Sequence, residues 1–128
     1  MKFKTGTLFL AVCSLGLSGL SGNALAMDAK VRAWLKDMAP QERMIQVCNM
    51  EAMGKVNADR LVDYTFSAPE IGKDKVVAKG AAFRRGGHWY KMSYNCATSD
   101  DQMQVLKFAM KKGAEIPKKD WPKLDLFE

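Results

Sequence analysis

The chain has 128 residues, with 20 lysines and arginines against 14 acids, one histidine and three cysteines, and a formal net charge of +6. That length supports one core, and the charges are too interleaved to form the basic stripe that nucleic-acid binding needs. One histidine and few cysteines also leave too few ligands for an ordinary zinc site.

The N-terminus points to export. Lys2 and Lys4 precede an apolar run from Leu8 to Leu20 and the small-x-small triplet Ala24-Leu25-Ala26. This pattern predicts a cleaved signal peptide over residues 1–26 and a periplasmic mature chain from Met27, with one α+β domain over 27–128. Gly16, Gly19 and Gly22 interrupt the run, which is too short to remain as a membrane anchor. Val12 stands before Cys13 where a lipoprotein needs a small residue. Cleavage removes two lysines and no acid, so +6 falls to about +4. It also removes Cys13, leaving Cys48 and Cys96, which an oxidising compartment pairs. No C-x-x-C spacing marks a redox-active pair.

In chain order, Asp28–Met38 reads as a short amphipathic helix capped by Asp28, with Val31, Trp34 and Leu35 on its apolar side. A longer helix runs from Pro40 to about Val56, with Met44, Ile45, Cys48, Ala52, Met53 and Val56 as one stripe and Glu42, Arg43, Glu51 and Lys55 opposite. Four strands follow: Arg60–Phe66, Lys75–Phe83 with Gly80 as a bulge, His88–Cys96, and Gln102–Met110. Residues 70–74 read as a loop, Arg84–His88 as a hairpin turn around Gly86-Gly87, and Thr98–Asp101 as a polar turn. The tail from Ile116 to Pro122 is irregular, with Trp121 docking. The expected architecture is α+β: N-terminal helices on a four-stranded antiparallel sheet, with the Cys48–Cys96 disulfide tying the long helix's buried face to the sheet.

Three stretches carry a family resemblance. Val47-Cys48-Asn49-Met50-Glu51-Ala52-Met53 resembles the helix signature of the domain-of-unknown-function 930 family of exported α-proteobacterial proteins. Gly80-Ala81-Ala82-Phe83-Arg84 and Trp89-Tyr90-x-x-Ser93-Tyr94-x-Cys96 resemble its strand signature, and Ile116-Pro117 with Trp121 its C-terminal end. The resemblance spans nearly all of the mature chain. It implies a small exported domain with no assigned catalytic residue.

Chemistry is sparse. His88, the sole histidine, sits on a hairpin flank beside two arginines, and no G-x-S-x-G elbow occurs. Asp100 and Asp101 are adjacent in a turn, where opposing glycosidase carboxylates cannot be. The chain is therefore read as non-enzymatic, with no cofactor. Met50 and Met53 form an M-x-x-M pattern that could hold Cu(I), although methionine at helix core positions is ordinary filling. Membrane-surface attachment by the first helix is a further alternative, although its charges are balanced and few.

What remains is the hairpin tip. Arg84, Arg85, His88, Trp89 and Tyr90 gather cations and aromatics around two glycines, which suggests a protruding basic key for an acidic cleft. In an envelope such clefts belong to peptidoglycan hydrolases, lysozyme-like muramidases or lytic transglycosylases. The expectation is a protein that binds, and inhibits or regulates, such an enzyme. The alternative is a carrier of a small ligand on the aromatic sheet face, or of copper through Met50 and Met53.

Overall fold

The computed structural model describes residues 27–128; the expected signal peptide and Cys13 lie outside them. Helix α1 spans Ala29–Asp37, and the Asp28 carboxylate accepts the Lys30 N–H at 3.0 Å, as its capping role requires. Leu35 is its buried residue, whereas Trp34 is half exposed. Adjacent helical residues are about 100° apart, so this two-turn helix cannot turn both inward.

Helix α2, Pro40–Val56, begins with Pro40 in its first turn and ends at Asn57 in the left-handed conformation (φ 53°). Met44, Val47, Cys48, Ala52 and Val56 are its buried residues. Arg43 is not the solvent-facing charge that its position suggested. Its guanidinium donates to the carbonyls of Leu35 (2.8 Å), Lys36 (3.1 Å), Met38 (2.9 Å) and Asp101 (2.9 Å). It thereby satisfies the orphan carbonyls at the end of α1 and fastens α1, α2 and the turn at Asp101 together.

The sheet is antiparallel: β1 Arg60–Val62, β2 Glu70–Ile71, β3 Lys75–Arg85, β4 His88–Thr98 and β5 Val105–Glu115. The order is β1-β3-β4-β5, with β2 on the other half of the β3 edge that β1 occupies. Several boundaries differ from expectation: β3 and β4 run on to Arg85 and Thr98, β5 starts only at Val105, and three further changes have a visible cause. The first strand stops at Val62, because Asp63 turns inward to accept from the Asn49 amide at 3.0 Å and is buried. Within the expected 70–74 loop, Glu70 and Ile71 pair with β3. The last strand extends through Lys111–Glu115, since β4 offers a ladder as far as Tyr90. The bulge at Gly80 appears as a register shift between Ala78 and Ala81.

Both sheet faces carry a core. On one, α2 covers Val76, Ala78, Ala81, Phe83, Met92, Tyr94 and Cys96. The aromatic face is therefore interior: Phe83 and Tyr94 are buried and stack on Tyr90 and Phe108, at 5.2 and 5.4 Å. The aromatic rings thus pack beneath α2 and form no open platform on this face. On the other face, 3-10 turns at Lys118–Asp120 and Pro122–Leu124 fold the tail over Ala82 and Trp89, bringing Ile116, Trp121 and Leu126. Trp121 docks as expected, its indole N–H donating to the Ile116 carbonyl at 3.0 Å. The Trp89 indole donates to the Phe127 carbonyl at 2.8 Å.

The Cys48–Cys96 disulfide joins α2 to β4 across the first core, with both residues buried. Beside it, the Tyr94 hydroxyl donates to the Asn49 side-chain oxygen at 2.5 Å, and Asn49 donates to Asp63. Burial first, and the nearby Asp63 charge second, push the Tyr94 phenol far up, so it stays a donor at all ordinary pH. Replacing both cysteines with alanine, which opens a crosslink with a sequence separation of 48, should cost about 4 kcal/mol in denaturant unfolding. Tyr94→Phe leaves a buried acceptor on Asn49 short of a donor and should cost roughly 1–2 kcal/mol in the same measurement.

Candidate functional site: the hairpin end and the open sheet face

Residues at the β3–β4 end were expected to form a turn five residues long. The observed turn is two residues: Arg85 pairs with His88, and Gly86 and Gly87 carry φ of 60° and 78°. Two consecutive positive φ values are what a tight hairpin turn with the right twist requires, and glycine supplies them without steric cost. Arg84 thus belongs to β3, opposite Trp89.

Strand alternation then divides the five expected contact residues between opposite faces. Arg84 and Trp89 face the tail; Arg85, His88 and Tyr90 face the side of α2. Arg84 is no projecting cation. Its side chain is 14% exposed, and its Nη2 lies 2.8 Å from Asp59 Oδ2, with Nε 3.3 Å from both carboxylate oxygens. Its guanidinium carbon stands 5.9 Å from the Trp89 ring centre and 5.3 Å from that of Phe127. The Arg84 hydrogen bond holds the Asp59 carboxyl below its ordinary range, and Asp59 in turn raises the guanidinium.

Trp89 is wholly buried and cannot serve as a contact residue, because the tail has filled the space over it. Tyr90 is half-buried and stacked on Phe83. Arg85 and His88 remain exposed. Arg85 Nη1 donates to the Val56 carbonyl at 3.0 Å, satisfying the end of α2, and its guanidinium carbon lies 5.5 Å from the Tyr90 ring centre. His88 Nδ1 meets Glu115 Oε1 at 2.6 Å, both side chains more than half exposed. Asp59 and Glu115 escaped the sequence reading: each lies at least 25 residues from its partner, beyond any local pattern. The tip is consequently rigid, and much of its charge is answered within the chain.

The Asp100–Asp101 turn behaves as a turn. The Ser99 hydroxyl (2.6 Å) and the Met103 N–H (3.1 Å) both donate to Asp101 and hold its carboxyl below the usual range. Met50 is exposed and Met53 half-buried on α2. Among the described residues, no group of three or more His, Cys, Asp or Glu side chains is placed to hold a metal ion.

The tail covers only the hairpin end of its sheet face. Beyond it lies a shallow groove of about 380 Å³, its floor made by Gly80, Ala81, Met92, Ser93 and Gly113 and its rim by Phe66, Lys79, Lys91, Lys111 and Lys112. Nothing in the spacing of these lysines announced it.

Residues 35–126 match the Domain of Unknown Function (DUF930) family. The chain belongs to that family. No curated protein and no solved structure matches it. In this DUF930 domain, the stretches that carried the resemblance meet in space: Cys48 bonds Cys96, Asn49 accepts from Tyr94, and Trp89 packs with Ile116 and Trp121.

The arginines differ in kind, so Arg84→Ala should lower the thermal unfolding midpoint more than Arg85→Ala. The Asp59 pKa is lowered in the folded state, so its contribution is complete above the ordinary carboxylate pKa and is lost as pH falls through the lowered value. Wild type should therefore be more stable than Asp59→Asn at pH 7, with the gap closing on acidification. A gap that stays constant to acid would show that the pair contributes nothing through charge.

Proposed function

We propose that this protein acts by binding rather than catalysis in the bacterial envelope, as an inhibitor or regulator of a peptidoglycan hydrolase of the lysozyme-like muramidase or lytic transglycosylase type. The observation that carries this reading is the rigid hairpin end, where exposed Arg85 and His88 flank two glycines with open space around them. A partner meets a preorganised feature and orders little on binding. Arg85, held by Val56 and two aromatic rings, presents a guanidinium of fixed orientation to an acidic cleft. The N-terminal export pattern and a disulfide suited to an oxidising compartment support the envelope location.

The contact set contracts to Arg85, His88 and the exposed part of Tyr90; Arg84 supports the hairpin from behind. In a peptidoglycan-clearing assay, the protein should slow a muramidase or a lytic transglycosylase. Arg85→Ala with His88→Ala should raise the inhibition constant roughly thirtyfold or more while leaving the fold intact by circular dichroism. Failure of the wild type to slow either enzyme class rejects the hydrolase reading, and full inhibition by the double variant rejects the tip as its contact.

A further inference from the structure

The groove on the open sheet face is separate from the hairpin end and has its own chemistry. Two glycines let its walls approach closely. A Cβ on Gly113 would sit 2.8 Å from the Lys91 Cβ, and one on Gly80 would sit 2.5 Å from the Ser67 backbone nitrogen. Gly80 lies beneath the segment that carries Phe66, whose N–H donates to the Gly80 carbonyl at 2.8 Å. Gly80 thus admits the Phe66 segment as one wall of the groove, and Gly113 brings β5 close against Lys91 on the other side.

Charge around this floor is one-sided. Ser93 and Lys111 are register partners, so the Ser93 hydroxyl and the Lys111 ammonium arm leave the sheet on the same face, about 5 Å apart at their bases. Lys91 follows on that face two residues along β4, about 7 Å away. Glu70 pairs with Lys79 at 3.2 Å, but both are about two-thirds exposed, and such a pair exchanges partners at little cost. Among the described residues, neither Lys91 nor Lys111 has an acid within ion-pair distance. Lys91 instead extends over the Phe66 ring, its Nζ 5.0 Å from the ring centre.

We infer that this groove binds a carboxylate-bearing glycan strand. Lys91 and Lys111 take its carboxylates, Ser93 a ring hydroxyl, and the partly exposed Phe66 ring the apolar C–H face of a sugar. A polypeptide fits less well on the floor itself, because β4 is paired on both sides there and leaves its backbone no partners; the open edge of β5 points away from the floor. A sugar acid asks for what the face has: cations, a hydroxyl and one aromatic plane in an open, wet groove.

Calorimetric titration of the purified protein at low salt, with a hexasaccharide of galacturonic acid, neutral maltohexaose and hexaglutamate as probes, tests this. The uronic acid oligomer should bind about tenfold or more tightly than hexaglutamate, with no detectable heat from maltohexaose. Lys91→Gln with Lys111→Gln should weaken it about tenfold or more at an unchanged unfolding midpoint, and Phe66→Ala should weaken the glycan but not the peptide. Arg85→Ala with His88→Ala should leave it unchanged, which keeps this test independent of the hydrolase reading. No binding of the uronic acid oligomer overturns the inference. So does equal binding of hexaglutamate with no effect of Phe66→Ala, which would reveal charge attraction alone.

Discussion

A covalent bond between the middle of α2 and β4, a strand paired on both sides, organises this molecule. Cys48 and Cys96 are both buried, so their link fixes which face of α2 meets the sheet and which face of β4 points inward. Everything on β4 then follows by alternation. Tyr94, two residues from Cys96, must face α2 and finds Asn49; Trp89, an odd seven residues away along a strand whose bulges lie in its neighbours, must face the other side and finds the tail. For a domain of about a hundred residues, where one core gives limited stability, such a crosslink matters in proportion.

The second constraint is the burial of both sheet faces near the hairpin. A sheet covered on one side only would leave Trp89 and Ala82 in water. The tail prevents this through Ile116, Trp121 and Leu126, and Arg84 closes the border by lying against Trp89 and Phe127 while Asp59 neutralises it. A guanidinium suits this position because it stacks on aromatic rings and keeps in-plane donors for a carboxylate. Arg85 has the same side chain and, one residue on, the opposite face, so it serves the end of α2 instead.

These contacts redistribute the protein's positive charge. At the tip, Asp59, Glu115 and a helix-end carbonyl answer the cations, leaving rigidity as the tip's main asset. On the open sheet face, lysines from three strands surround a recessed floor, and one acid, Glu70, meets one of them. A modest net charge is thus compatible with one sharply cationic surface, because cancellation is a matter of position.

Much of the architecture was legible in the sequence because it rests on local periodicity: α2 from its apolar stripe, β3 and β4 from β-branched and aromatic alternation, the hairpin from Gly86-Gly87, and the disulfide from a count of the cysteines outside the expected signal peptide. The candidate site was legible only in part. Reading FRRGGHWY placed an unusual cluster at a turn, but whether a side chain there is a projecting contact or an internal brace depends on the strand's phase and on what covers each face. The sequence by itself determined the two helices, the central β3–β4 hairpin and, on the expectation that Cys13 belongs to a signal peptide, which two cysteines join; it missed β2 and the ends of the outer strands. Tertiary structure alone decided that Arg84 and Trp89 turn inward, that Arg43 serves four carbonyls, and that Lys79, Lys91 and Lys111 share one surface. Those outcomes come from residues distant in the chain meeting across a sheet, and a bulge of one residue is enough to reassign which face each side chain shares.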